Sequence, residues 1–142
     1  RHPTPVYPRP VLVFLVRHAH SEPGDPDELR PLSERGQAEA QTLAEHLAAH
    51  GTPPRIVLSS PLVRARQTAE LIARAMGAEA LVEERLAPGT TAELLHEAVS
   101  GIEGPVAAVA HQPDCSEIVV ALTGSDPGFP PAGVAELEVD AP

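Results

Sequence analysis

The sequence predicts an α/β protein, a three-layer α/β/α sandwich around a mostly parallel sheet of about five strands. Three features carry this. Short apolar runs occur at 11–16, 55–58, 80–82 and 106–110, and the first and last of these contain no polar residue, as befits strands covered on both faces. Segments of helical period follow the runs, over about 33–50, 61–76, 90–99 and 113–122. The stretch from Val134 to Val139 alternates apolar and charged residues toward its end, the pattern of a half-exposed strand. Strands and helices take turns along the chain, which is how parallel strands are joined by helices packed on the faces of their sheet.

Punctuation residues support each element. Ser33 is an expected N-cap for the first helix, with Glu34 favourable in its first turn. The helix should run to about His50, with Gly51 as its C′ residue and Pro53-Pro54 blocking continuation. Ser60 is expected to cap the second helix with Pro61 at its first position, and Gly77 to close it. Leu86 to Gly89 should turn the chain, and Thr90-Thr-Ala-Glu93 matches a capping box for a short third helix. Pro113 opens the fourth helix and Gly124 ends it, before a Pro- and Gly-rich stretch over 125–133.

Composition narrows the function. Residues 11–142 fit one catalytic domain, and residues 1–10, with four prolines, read as an extended arm. The net charge is −10 and all ten cationic residues are arginine. Without lysine there is no Schiff-base chemistry and no lysine-dependent phosphate loop. An acidic chain with 2% aromatics is a poor partner for nucleic acid or an anionic membrane. Cys115 is the single cysteine, so no internal disulfide or cysteine-rich metal site is expected. With no apolar run long enough to cross a membrane and no apolar signal core at the start, a cytoplasmic location is the default expectation.

The chemistry-bearing residues fall at strand ends. Arg17 and His18 follow the first strand, Arg64 lies just beyond the second, and His111 follows the fourth. In an open parallel sheet these carboxyl ends share one edge, where ligands bind. Two guanidinium forks beside a helix N-terminus suit a dianionic phosphoryl group. His18 is therefore expected to be a nucleophile toward phosphorus, and Arg17, Arg64 and His111 the catalytic and substrate-binding groups around it. A protonated His111 is expected to share in stabilising charge on the phosphoryl oxygens.

Leu15-Val-Arg-His18, Ser59-Ser-Pro-Leu-Val-Arg-Ala-Arg-Gln-Thr68 and Val109-Ala-His111 together resemble the histidine phosphatase superfamily, in the family's order and over nearly all of the chain from Val11 to Val139. The resemblance implies a phosphoglycerate mutase-like fold, a phosphorylated intermediate on His18, and a phosphoryl group surrounded by Arg17, Arg64 and His111. Ala19 stands where the family usually has glycine, and Gly24 where many members have a phosphate-holding asparagine. Pro88 takes the place of the glutamate general acid of larger members, with Glu83 and Glu84 nearby as substitutes. Short length and the run from Ala110 to Glu117 most resemble the small protein-histidine phosphatase (SixA-like) branch.

A sugar phosphate must expel a strongly basic alkoxide, so a proton donor normally assists. Phosphohistidine expels an imidazole, a better leaving group. The expected activity is accordingly dephosphorylation of phosphohistidine in proteins, with no cofactor and no metal. A broad small-molecule phosphomonoesterase and a silent phosphate-binding module are the alternatives, and neither partner protein nor oligomeric state is legible. A metal centre through His18, His20 and His111 is disfavoured because no Asp or Cys has ligand spacing to them, leaving His20 a pocket-edge or exposed residue. Cys115 reads as a small buried residue. Ser59 is a candidate phosphate donor, and Thr68 a packing residue or phosphate contact.

Overall fold

The computed structural model describes residues 10–140. The expected arm therefore lies, apart from Pro10, outside the described residues. Five strands form one sheet in the order β3-β2-β4-β1-β5. They are β1 (Val11–Arg17), β2 (Ile56–Ser59), β3 (Glu79–Val82), β4 (Val106–Ala110) and β5 (Val134–Val139). β1 to β4 are mutually parallel, and β5 returns antiparallel along β1. The helices are α1 (Glu34–Ala48), α2 (Val63–Met76), α3 (Ala92–Val99) and α4 (Asp114–Thr123). None is long and apolar enough to cross a membrane among the described residues.

The period of two in the strands divides the core into two layers. Val13 and Leu15 of β1, with Val106 and Ala108 of β4, pack beneath α3 and α4 against Leu95, Val99 and Ile118. Phe14 and Val16, with Ala107 and Val109, face the other way against Leu43 and Leu47 of α1 and Ala69 and Ile72 of α2. Alanine in the central strand β4 lets the helices approach closely. With both faces covered, the three layers are those the sequence predicts.

The helix ends depart from expectation in three places. Ser33 does cap α1, its hydroxyl accepting from the Gly36 N–H at 3.0 Å. The helix nonetheless stops at Ala48 rather than near His50, so Gly51 is not its C′ residue. His50 is drawn instead to Glu136 of β5, Nε2 to carboxylate 2.6 Å. α2 begins at Val63, with Leu62 and not Ser60 at the cap position. Ser60 is engaged elsewhere, as described below. Thr91 rather than Thr90 caps α3, accepting from the Leu94 N–H at 3.2 Å, so the expected capping box is not made. Gly77 and Gly124 end α2 and α4 in the left-handed conformation, as expected.

Candidate active site

Register brings the strand ends to one level. Arg17 of β1 pairs with Ala110 of β4, and Ser59 of β2 with Val109. The ladder continues one step past the strands, with His18 N–H donating to the Ala110 carbonyl and Ser60 N–H to the Val109 carbonyl, each at 3.0 Å. Arg17, His18 and Arg64 consequently line a single cavity of about 260 Å³, together with Ala19, His20, Ser21 and Arg30. A larger recess of about 760 Å³ lies at the opposite, amino-terminal edge of the sheet, walled mostly by Ala, Pro and Gly with Thr52, Arg55 and Met76, and holds no His, Cys, Asp or Glu.

The ring of His18 is fixed through its Nδ1, which lies 2.7 Å from the Ala19 carbonyl. A carbonyl only accepts, so Nδ1 carries the proton and Nε2 keeps its lone pair. Ala19 is itself fixed. Its N–H donates to Thr68 Oγ1 at 3.1 Å, and the Thr68 hydroxyl donates to the Arg64 carbonyl at 2.8 Å. Thr68 and Ala19 are fully buried, so this chain of bonds couples α2 to the imidazole without solvent competition. The family's usual glycine is not needed for it, because the backbone of Ala19 does the work and its methyl packs against Leu32 and Ala40. Thr68 is thus a packed backbone partner and not a cavity wall.

Burial of the ring, with Arg64, Arg17 and Arg30 nearby, pulls the His18 pKa down to about 4, against the raising effect of the Ala19 carbonyl. His18 is neutral at physiological pH, as a nucleophile must be. His111 differs from expectation. Its ring stands behind that of His18, centroids 5.1 Å apart and planes inclined by 57°, rather than on the cavity wall. Burial, then the neighbouring His18 and Arg64, pull its pKa down to about 3. Its Nε2 is 2.7 Å from Ser60 Oγ, and its buried Nδ1 has no partner. Ser60 Oγ also accepts from the Leu62 N–H at 3.3 Å, so the hydroxyl serves both the ring and the turn that leads into α2.

Arg64 is the second residue of α2. Its guanidinium donates to the Asp27 carbonyl at 2.8 Å and to the Asp27 carboxylate at 3.1 Å. Arg30 binds the other carboxylate oxygen at 2.9 Å and also holds the Ser21 hydroxyl and the Glu22 carbonyl. The two arginines hold the Asp27 carboxyl below its usual range. Arg17 donates to the Phe129 carbonyl at 2.8 Å, tying the 125–133 loop to the site, and leaves its buried Nε without a partner. Each guanidinium retains further N–H donors for an oxyanion.

Arg30, Asp27 and Ser60 are the residues that sequence reading missed. The i, i+3 spacing of Asp27 and Arg30 was the available signal, obscured by their place in a loop. Other expectations fare differently. Ser59 is buried and off the cavity wall, and Gly24 is exposed and off it too. Glu83 and Glu84 do not line the cavity, and Glu83 is held ionised by Arg85 at 2.6 Å. His20 does line it, with Nδ1 on Ser33 Oγ at 2.6 Å. Among the described residues no three His, Cys, Asp or Glu side chains are grouped to hold a metal ion. Cys115 is buried, its thiol pushed up to about 12 mainly by that burial, which leaves it inert.

The chain is similar to known proteins in sequence and in fold. Residues 13–88 match the family model described as histidine phosphatase superfamily (branch 1). A relative from Picosynechococcus, itself uncharacterized, is 33% identical over 91% of this chain and 86% of its own length. The crystal structure of a candidate phosphohistidine phosphatase SixA from Agrobacterium tumefaciens superposes with a TM-score of 0.78 at 31% identity, covering 91% of both chains. The protein histidine phosphatase SixA complexed with tungstate superposes equally well, at 0.78 and 27% identity over 89% of this chain and 86% of that one. The chain belongs to the histidine phosphatase superfamily, as a hydrolase of its SixA-like branch.

Proposed function

We propose that the protein dephosphorylates phosphohistidine in other proteins through a covalent phosphohistidine intermediate on His18. One observation carries this reading: a neutral imidazole, its Nδ1 tethered to the Ala19 carbonyl, opens onto a cavity that Arg17, Arg30 and Arg64 also line. His18 Nε2 attacks phosphorus in line with the departing group. The guanidinium groups of Arg17 and Arg64, with Arg30 behind them, draw negative charge from the equatorial oxygens. Water then attacks the phosphorus, and His18 leaves as neutral imidazole. Three arginines supply the positive charge that a divalent cation supplies elsewhere, so the reaction uses no metal. His111 lies beside the ring, and burial of each imidazole keeps both neutral until a dianion enters.

Two points support a P–N over an alkyl P–O substrate. No carboxylic acid lines the cavity wall, and Asp27, which binds Arg30 and Arg64, is held ionised between them. Two structures on which the chain superposes with a TM-score of 0.78 are described as histidine phosphatases of the SixA kind, and one of them holds tungstate, a tetrahedral oxyanion. The test compares a phosphohistidine peptide with a sugar phosphate under identical conditions. The peptide should be hydrolysed with the higher kcat/KM, and ³²P should be retained on the wild-type chain after a neutral quench but not on His18→Ala. Equal rates on both substrates would point to the broad phosphomonoesterase instead. Oxyanion binding with no turnover would leave only a phosphate-binding module.

A further inference from the structure

We propose that His20 is the proton carrier of this site, the group that protonates the leaving atom and later deprotonates the attacking water. The inference rests on the phosphatase reading above. It starts from the composition of the cavity wall. Among the residues lining it, His18 is the nucleophile, Arg17, Arg30 and Arg64 hold their protons permanently, and Ala19, Ser21 and Pro131 have none to exchange near neutrality. His20 is the remaining side chain, and imidazole is the side chain suited to proton exchange near neutral pH.

The ring of His20 is placed, not loose. Its Nδ1 is 2.6 Å from Ser33 Oγ, and that hydroxyl donates in turn to the His20 carbonyl at 3.2 Å. The oxygen therefore accepts from Nδ1–H, which leaves Nε2 as the working nitrogen. Nε2 has no hydrogen-bond partner among the described residues. The backbone is pinned as well: the His20 N–H donates to Glu39 Oε1 at 3.0 Å, and its carbonyl accepts from the Ser33 N–H at 3.0 Å. Gly36 lies so close beneath that carbonyl that a side chain there would collide with it. Ser33 serves both this ring and the cap of α1.

The proton inventory closes. In the first half-reaction protonated His20 gives the Nε2 proton to the departing nitrogen or oxygen as its bond to phosphorus breaks. The electron pair of that bond stays on the leaving atom, and His18 Nε2 forms the new bond to phosphorus. In the second half-reaction neutral His20 takes a proton from water as the water oxygen bonds to phosphorus, and His18 departs with the electron pair it brought. The enzyme returns to its starting protonation.

The test uses His20→Gln in the full chain, with phosphohistidine peptide, glycerol phosphate and p-nitrophenyl phosphate as substrates and vanadate as a binding probe. Nitrophenolate leaves without help, so its kcat/KM should change less than about threefold. The alkyl ester should lose about 10²-fold or more and the peptide, whose imidazole is the better leaving group, a smaller factor that still exceeds about threefold, with vanadate affinity unchanged. An equal loss on all three substrates, or no loss on any, would overturn the role. A wild type that ignores the peptide but cleaves the alkyl ester defeats the substrate reading alone, because the alkyl-to-aryl contrast still judges His20. Ser33→Ala, which frees the ring but keeps it, should show the same selective loss to a smaller degree; a uniform loss there would also count against the role.

Discussion

Asp27 and Arg64, 37 residues apart in the chain, are joined twice, through the Asp27 carbonyl at 2.8 Å and its carboxylate at 3.1 Å. The same carboxylate takes Arg30 at 2.9 Å. A loop residue thereby fixes the aim of two guanidinium groups on the cavity wall. Two opposite consequences are conceivable for a phosphoryl ligand, and they have opposite signs. Asp27 is well exposed while Arg64 is buried, so the carboxylate grips the arginines from outside instead of filling their inner face.

Asp27→Ala should therefore weaken vanadate or tungstate binding, by about fivefold to tenfold given that charge-assisted bonds orient the arginines. Inhibition constants or calorimetry will measure it. Tighter binding in the variant would mean that Asp27 competes for the seat.

Thr68→Val keeps the volume of the side chain and removes both of its hydrogen bonds, to Ala19 and to Arg64. The buried Ala19 N–H then has no acceptor, which should cost about 1–3 kcal/mol of stability by denaturant unfolding. The larger signature is kinetic. Because Ala19 carries the carbonyl that fixes His18, kcat should fall further than stability alone explains, with little change in oxyanion affinity.

Gly36→Ala offers a test by sign. Inside a helix that substitution ordinarily stabilises by about 1 kcal/mol. Here the added methyl would meet the carbonyl of His20, a backbone atom that is already hydrogen-bonded twice over. We expect destabilisation of about 1–3 kcal/mol, from overpacking, and a loss of activity through displacement of the 18–21 segment. A stabilised, fully active variant would show that the segment yields freely.

The two depressed imidazoles make stability depend on pH. His18 at about 4 and His111 at about 3 take up protons in the unfolded chain, near 6.5, before they do so in the fold. The unfolded state thus binds more protons between pH 6.5 and 4, so stability should be full above pH 7 and decline as pH falls through that window. The expected loss by pH 4 is on the order of 1–2 kcal/mol per ring, allowing for solvent at His18. Thermal unfolding of the wild type and of His111→Gln across that range will check it: the variant's curve should be flatter on the acid side.

The sequence by itself determined the architecture and the ends of the strands that bear chemistry. Apolar runs such as 11–16 and 106–110 are long enough and unbroken enough that only a covered strand suits them, and parallel strands place Arg17, His18, Arg64 and His111 at one edge whatever the loops do. Only the tertiary structure decided how those groups are held. Asp27 and Arg30 enter from a loop with no periodicity, and the Ser60 hydroxyl meets the His111 ring 51 residues away in the chain. The charge on His111 was likewise beyond a linear reading, since burial and the nearness of His18 and Arg64 set it, and both are properties of distance in space and not of position along the chain.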